Sequence, residues 1–248
     1  VPYGIGTFGS RATAVGGTAI YNALQKVKEK LRKIAGHVLQ ADPEKILFAD
    51  GRLFVKGHAT KSRKCIEIVA EAYVARNLPA GLEPGLEATN FFEPSNFTFP
   101  FGAHVAVVEV DGETGDIRFL RYLAVDDCGT VINPLLVDGQ IHGGIVQGLG
   151  QALMEEAVFD ENGQLITGEL TDYAIPRAWD VPWMETKRMV TRSPVNPLGI
   201  KGVGEAGTIG ATPAIVNAVV DALAPLGVRH LDMPLKRERL WQVLRRGR

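Results

Sequence analysis

The chain has 248 residues, long enough to bury a sizeable core as one large domain or two small ones. Its 46% hydrophobic and 22% charged content excludes wholesale disorder, and a formal net charge of -1 leaves no global positive field for a nucleic acid to meet. No apolar run reads as long enough to span a membrane, no signal peptide opens the chain, and the distant pair Cys65 and Cys128 reads as reduced core thiols, which together lead us to expect a cytoplasmic protein. The start, Val1-Pro2-Tyr3-Gly4, lacks an initiator Met and runs straight into a structured-looking loop, so the chain reads as a piece of a larger polypeptide.

In residues 17–40 apolar side chains recur at Ile20, Leu24, Val27, Leu31, Ile34 and Val38, the stripe of one long helix. Asp50-Gly51 between two short apolar runs is a hairpin signal, and a second helix is expected near residues 64–76. Residues 78–100 are rich in Pro, Gly, Asn and Phe without periodicity and read as a long connection. Residues 104–110 and 117–125 pair as strands around the turn that begins at Asp111-Gly112. A glycine-spotted helix over residues 140–156, a hairpin at Asn162-Gly163 and a strand over 184–191 follow. Thr212-Pro213 is expected to cap and open the next helix, and residues 236–248 to form a solvated basic one. Mixed helix and strand without regular βαβ alternation predicts an α+β fold built as two-layer mixed α/β sub-domains.

Gly4-Ile5-Gly6-Thr7-Phe8-Gly9 and Gly202-Val203-Gly204-Glu205-Ala206-Gly207 both match the dinucleotide pattern G-x-G-x-x-G. That reading fails on context, because almost no chain precedes Gly4 and the position for the ribose-binding acid after Gly202 falls inside a helix. The physics under the motif survives: a glycine-rich turn entering a helix offers backbone N–H groups to an anion. Residues 9–13, 139–150 and 202–210 are three such places, which suits a ligand with several oxyanions. For Gly143, Gly144, Gly148 and Gly150, which interrupt a helix at about 1 kcal/mol each, close helix packing is the better reading.

These three places also carry a resemblance. Residues 7–17 (Thr-Phe-Gly-Ser-Arg-Ala-Thr-Ala-Val-Gly-Gly), Asp126-Asp127-Cys128-Gly129 onward through residues 139–150, and Lys201-Gly202-Val203-Gly204-Glu205 resemble, in that order and across nearly the whole chain, the large subunit of the molybdenum hydroxylases. That family contains xanthine dehydrogenase, aldehyde oxidoreductase and aerobic carbon monoxide dehydrogenase. The residues around Pro84-Gly85 and Pro100-Phe101-Gly102 are most similar to the carbon monoxide branch. The resemblance implies a first cofactor-binding sub-domain in residues 1–80, a linker in 81–103 and a second sub-domain with a catalytic loop in 104–248. It implies molybdopterin with molybdenum, as the cytosine dinucleotide, held through Gly9, Ser10, Arg11, Ala12, Thr13, Gln140, Lys201, Gly202, Val203 and Gly204, with no metal ligand supplied by this chain; His142 is read accordingly as no ligand. In the family a glutamate takes the proton of a hydroxide on molybdenum as its oxygen attacks an electron-poor carbon, and electrons leave through iron–sulfur clusters to a flavin. Glu205 matches that base, and the role calls for a carboxyl raised toward neutrality by burial. Asp126, Asp127 and Asn133 read as turn and capping residues, and Cys128 as packing.

The family's upstream half is absent from the sequence, and with it a second cofactor segment and most of the substrate pocket. The expected partners are that half, a 2Fe-2S subunit and an FAD subunit, in a dimer of heteromers that acts on a small molecule: an aldehyde, an N-heterocycle or carbon monoxide. The rival reading is a non-catalytic module that holds cofactor or stabilises a partner, against which stands the intact Gly202–Gly207 loop around Glu205.

Overall fold

A computed structural model describes residues 4–246, which fall into two compact units. The start of the sequence and its last two residues lie outside the described residues. The first unit comprises residues 15–93. Its long helix α1 (Thr18–Val38) packs on an antiparallel sheet of β1 (Ile46–Ala49), β2 (Arg52–Val55) and β3 (His58–Lys64), and on helix α2 (Cys65–Val74). Asp50 and Gly51 both take the left-handed backbone that a tight two-residue hairpin requires, at φ 48° and 70°. Strand β3 escapes sequence reading for a physical reason: it is a sheet edge of polar, largely exposed residues, with no alternating apolar face. Ile34, Leu39, Ile46, Leu53 and Ile68 form the core, and Leu78, Leu82 and Leu86 cover it from the irregular segment that follows. The apolar stripe of α1 is buried only in its second half: Ile34 is fully buried, whereas Ile20 and Leu24 are exposed.

The second unit joins residues 4–14 to 94–246. The opening loop, expected in one sub-domain with the helix after it, belongs instead with the Glu205 region, 195 residues away, to which Ser10 is hydrogen-bonded. The sheet order is β4 (Phe101–Val110), β5 (Ile117–Asp127), β6 (Met184–Met189), with β4 antiparallel and β6 parallel to β5. At Asn162-Gly163 the structure has a turn closed by the single bridge Phe159–Leu165. Helix α3 (Pro134–Leu153) begins earlier than its glycines suggest, because Asn133 caps it by accepting the Leu136 N–H at 3.3 Å and Pro134 occupies its first turn.

Helix α4 (Ala206–Leu223) corrects two expectations. It starts at Ala206, and Pro213 lies inside it; the Thr212 hydroxyl donates to the Thr208 carbonyl (3.1 Å) one turn back instead of capping a helix start. The span Ala206–Leu226 is also apolar and long enough to cross a membrane by length and composition, with a mean hydropathy of 1.5, so the expectation of no such run does not hold. One face of that helix, Ala211, Ile215, Val219 and Leu223, is buried, and the helix packs on α3, β4 and β5. Helix α5 (Arg237–Arg246) is docked rather than wholly solvated: Leu240 and Leu244 join Val219, Leu223 and Leu235 in a second core cluster.

Candidate functional site

The loop leading to Glu205 is pinned by backbone bonds. Asn196 holds Ile200 from both sides, accepting its N–H (3.0 Å) and donating to its carbonyl (2.9 Å). The Lys201 N–H donates to the Cys128 carbonyl (2.8 Å), and the Thr130 N–H to Gly199 (2.9 Å), so residues 199–201 run beside 128–130. Lys201 then turns inward. Its Nζ lies 3.1 Å from Asp127 Oδ1 and 4.4 Å from the centre of the Phe101 ring, with side-chain exposures of 6% for Lys201 and 1% for Asp127. Burial works to raise the Asp127 pKa, but hydrogen bonds including the Gly129 N–H, together with the Lys201 charge, outweigh it and hold the carboxyl below its ordinary value.

This frame carries a cleft of about 570 Å³. Gly9, Ser10, Ala12, Thr13, Gln140, Lys201, Gly202, Val203, Gly204 and Glu205 all line it, whereas Arg11 does not and stacks its guanidinium on Phe8, 4.8 Å from the ring centre. Ser10 has left-handed backbone (φ 54°), and its hydroxyl closes a two-point tie: it accepts the Glu205 N–H at 3.0 Å and donates to Glu205 Oε2 at 2.6 Å. Glycine is needed at 202 opposite this turn, since a Cβ there would come within 2.7 Å of the Ser10 Cβ, whereas one on Gly204 would meet only the ends of the Ser10 and Gln140 side chains, at 3.2 and 3.3 Å. The N–H groups of Gly202, Val203 and Gly204 have no acceptor among the described residues. Three unpaired backbone donors, an exposed Gln140 amide and an adjacent helix N-terminus form a donor set that fits the polar rim of a pterin and its phosphate.

Two expectations change here. Glu205 is exposed, so the burial its proposed role calls for does not come from the described residues. Lys201, sequestered on Asp127, anchors the loop by its side chain and can meet a ligand only through its backbone. Asp127 and Asn133 do act as turn and capping residues, and Cys128 lies in the core beside the cleft, its thiol pKa pushed up by burial. The His142 Nε2 lies 3.3 Å from Thr186 Oγ1. Asn196 went unremarked in the sequence, although Asn196-Pro197 is a turn signal.

A smaller cavity of about 340 Å³ adjoins this cleft. Gly9, Ser10, Gly202 and Glu205 line both spaces. His104 and Asp126 also line the smaller one, a pair that no sequence motif had drawn out. His104 is 1% and Asp126 3% exposed at the side chain, and the His104 Nε2 lies 3.3 Å from Asp126 Oδ2. Its Nδ1 is 2.9 Å from the hydroxyl of the fully buried Tyr122, whose pKa burial and then the Asp126 charge raise well above its usual value.

Comparison with known proteins meets this geometry. Residues 1–182 match the molybdopterin cofactor-binding domain. The carbon monoxide dehydrogenase large chain of Hydrogenophaga pseudoflava is 45% identical over 244 residues, 98% of this chain and 30% of that one. The crystal structure of a Cu,Mo-CO dehydrogenase superposes with a TM-score of 0.93 at 40% identity, over 100% of this chain and 31% of its own. Quinoline 2-oxidoreductase from Pseudomonas putida 86 gives 0.90 at 42% identity, over 98% and 31%. The chain belongs to the molybdopterin cofactor-binding domain family. Within it, the chain corresponds to a stretch of the large subunit of the molybdenum hydroxylases and spans about 30% of the length of the curated relatives it matches. The expected family and α+β fold are thereby borne out.

Proposed function

We propose that this chain is the C-terminal portion of the catalytic subunit of a molybdenum hydroxylase, with Glu205 as its base. The observation that carries the reading is the position of Glu205 on the rim of the glycine-lined cleft, its backbone and its carboxylate both tied to Ser10. Molybdopterin, taken here as the cytosine dinucleotide, would lie against the N–H groups of residues 202–204, the backbone of residues 9–13 and the Gln140 amide. When bound it supplies the redox chemistry that water-derived oxygen insertion requires. The chain itself orients and excludes: Asp127 and Lys201 fix the loop, Ser10 aims the carboxylate, and Glu205 accepts and later releases a proton. An upstream segment of the large subunit would close the cleft and bury Glu205, and the exposed Ile20 and Leu24 of α1 suit contact with it. Electrons would leave through a 2Fe-2S subunit to an FAD subunit, in a cytoplasmic dimer of heteromers. The substrate is a small molecule, an aldehyde, an N-heterocycle or carbon monoxide.

The test is elemental analysis of the full-length protein, purified with its partners from its host. Molybdenum and iron together support the hydroxylase, and copper near one per molybdenum selects carbon monoxide as substrate. An intact complex without molybdenum overturns the catalytic reading and leaves a non-catalytic module.

A further inference from the structure

We propose that Asp126, oriented by His104, takes up the proton that Glu205 must lose between turnovers, through the cavity that the three residues line. The inference rests on Glu205 acting as a base, since a base that has taken a proton must lose it before it can act again. Glu205 lines both cavities, and the titratable side chains that line the smaller one, among the described residues, are Glu205, His104 and Asp126. At about 340 Å³ that cavity has room for a chain of waters, each taking roughly 30 Å³ in the liquid. The other charged or titratable groups nearby are engaged elsewhere: Tyr122 on β5 stays protonated against the His104 Nδ1, and Lys201 is held on Asp127.

With the Tyr122 hydroxyl donating to Nδ1, His104 presents Nε2–H to Asp126, leaving the Asp126 carboxylate as the acceptor on the cavity wall. In the step proposed, the Glu205 O–H bond breaks, the proton passes through water, and an O–H bond forms on Asp126; no electrons move and no further reactant is consumed. The proton then returns to bulk water by the cavity mouth. Glycine at 210 keeps the relay close to the Glu205 helix, since a Cβ there would come within 2.7 Å of the His104 ring. Acting through Glu205 and touching no substrate, His104 and Asp126 are positioning residues.

The experiment uses full-length enzyme with its partners and whichever of carbon monoxide, benzaldehyde or quinoline the wild type oxidises. In Asp126→Asn, and in His104→Gln as the milder variant, the first turnover should proceed within about twofold of wild type. Steady-state kcat should fall about tenfold and recover on addition of formate or imidazole as external proton carriers. First-turnover and steady-state rates that fall together without rescue would overturn the relay and leave the pair as packing. Infrared difference spectra on pH change supply a readout apart from activity: a carboxylic-acid band lost in Asp126→Asn should shift its midpoint in Glu205→Gln, and a band indifferent to Glu205 would also overturn it. Should the wild type carry no molybdenum and oxidise none of the three, the hydroxylase reading fails, and the infrared coupling still decides whether Asp126 and Glu205 exchange protons.

Discussion

Glycine serves two opposite ends within a few residues of the same chain. Between α3 and α4 it lets backbones touch: a Cβ on Gly207 would lie 2.5 Å from the Ile141 carbonyl oxygen, and one on Gly144 2.9 Å from the Gly207 Cα. At Gly202, just before α4, it lets the loop approach the Ser10 turn, and at the exposed Gly204 it keeps a surface open, on a cleft-lining loop whose N–H groups at 202–204 have no acceptor among the described residues. The packed glycines place the helix, and the open ones place whatever the cleft binds. The letter pattern G-x-G-x-x-G runs across both kinds, which is why it misleads here: Gly202 and Gly204 belong to the cleft and Gly207 to the helix interface.

Replacement separates the two roles, and the largest effect is expected at the interface. Gly207→Val should force α3 and α4 apart at a cost of about 5 kcal/mol or more, since the three atoms nearest an added Cβ are all backbone, read as lost soluble yield and a lowered thermal midpoint of the full-length protein. Lys201→Met comes next, because it strands a buried carboxylate; the expected loss is about 3–5 kcal/mol at pH 7 in denaturant titration. The Asp127 pKa is depressed, so its contribution is present above its ordinary value of 3.8 and is lost as pH falls through the lower folded value. The stability gap between wild type and Lys201→Met should therefore close only below about pH 4. Gly204→Ala should leave stability within about 1 kcal/mol, since only the ends of the Ser10 and Gln140 side chains must shift, yet reduce retained molybdopterin. The smallest effect belongs to Gly143→Ala, where a Cβ meets nothing within 4 Å and helix propensity alone should add about 0.5–1 kcal/mol.

What could be read in advance divides along similar lines. The apolar stripe of α1, the Asp50-Gly51 hairpin and the β4–β5 pair are local patterns, and each appears where expected. The cleft was legible as three glycine-rich segments because each carries its own short motif. Its assembly was not: Ser10 meets Glu205 across 195 residues, Lys201 meets Asp127 across 74, and His104 meets Asp126 across two strands. Pairings at such separations leave no periodic trace in one sequence. Thr212-Pro213 misled for the converse reason, since a strong local start signal was overridden by the packing of α4 on α3, which fixes the helix from Ala206 onward.

The most direct test of the central claim is Glu205→Gln in the full-length enzyme assembled with its partners, measuring molybdenum content and turnover on the same preparation. The amide keeps the shape and can still accept the Ser10 hydroxyl, but it cannot take up a proton. The account predicts molybdenum at the wild-type level with turnover lower by several powers of ten. Turnover near the wild-type rate with full molybdenum would contradict it and remove Glu205 as the base.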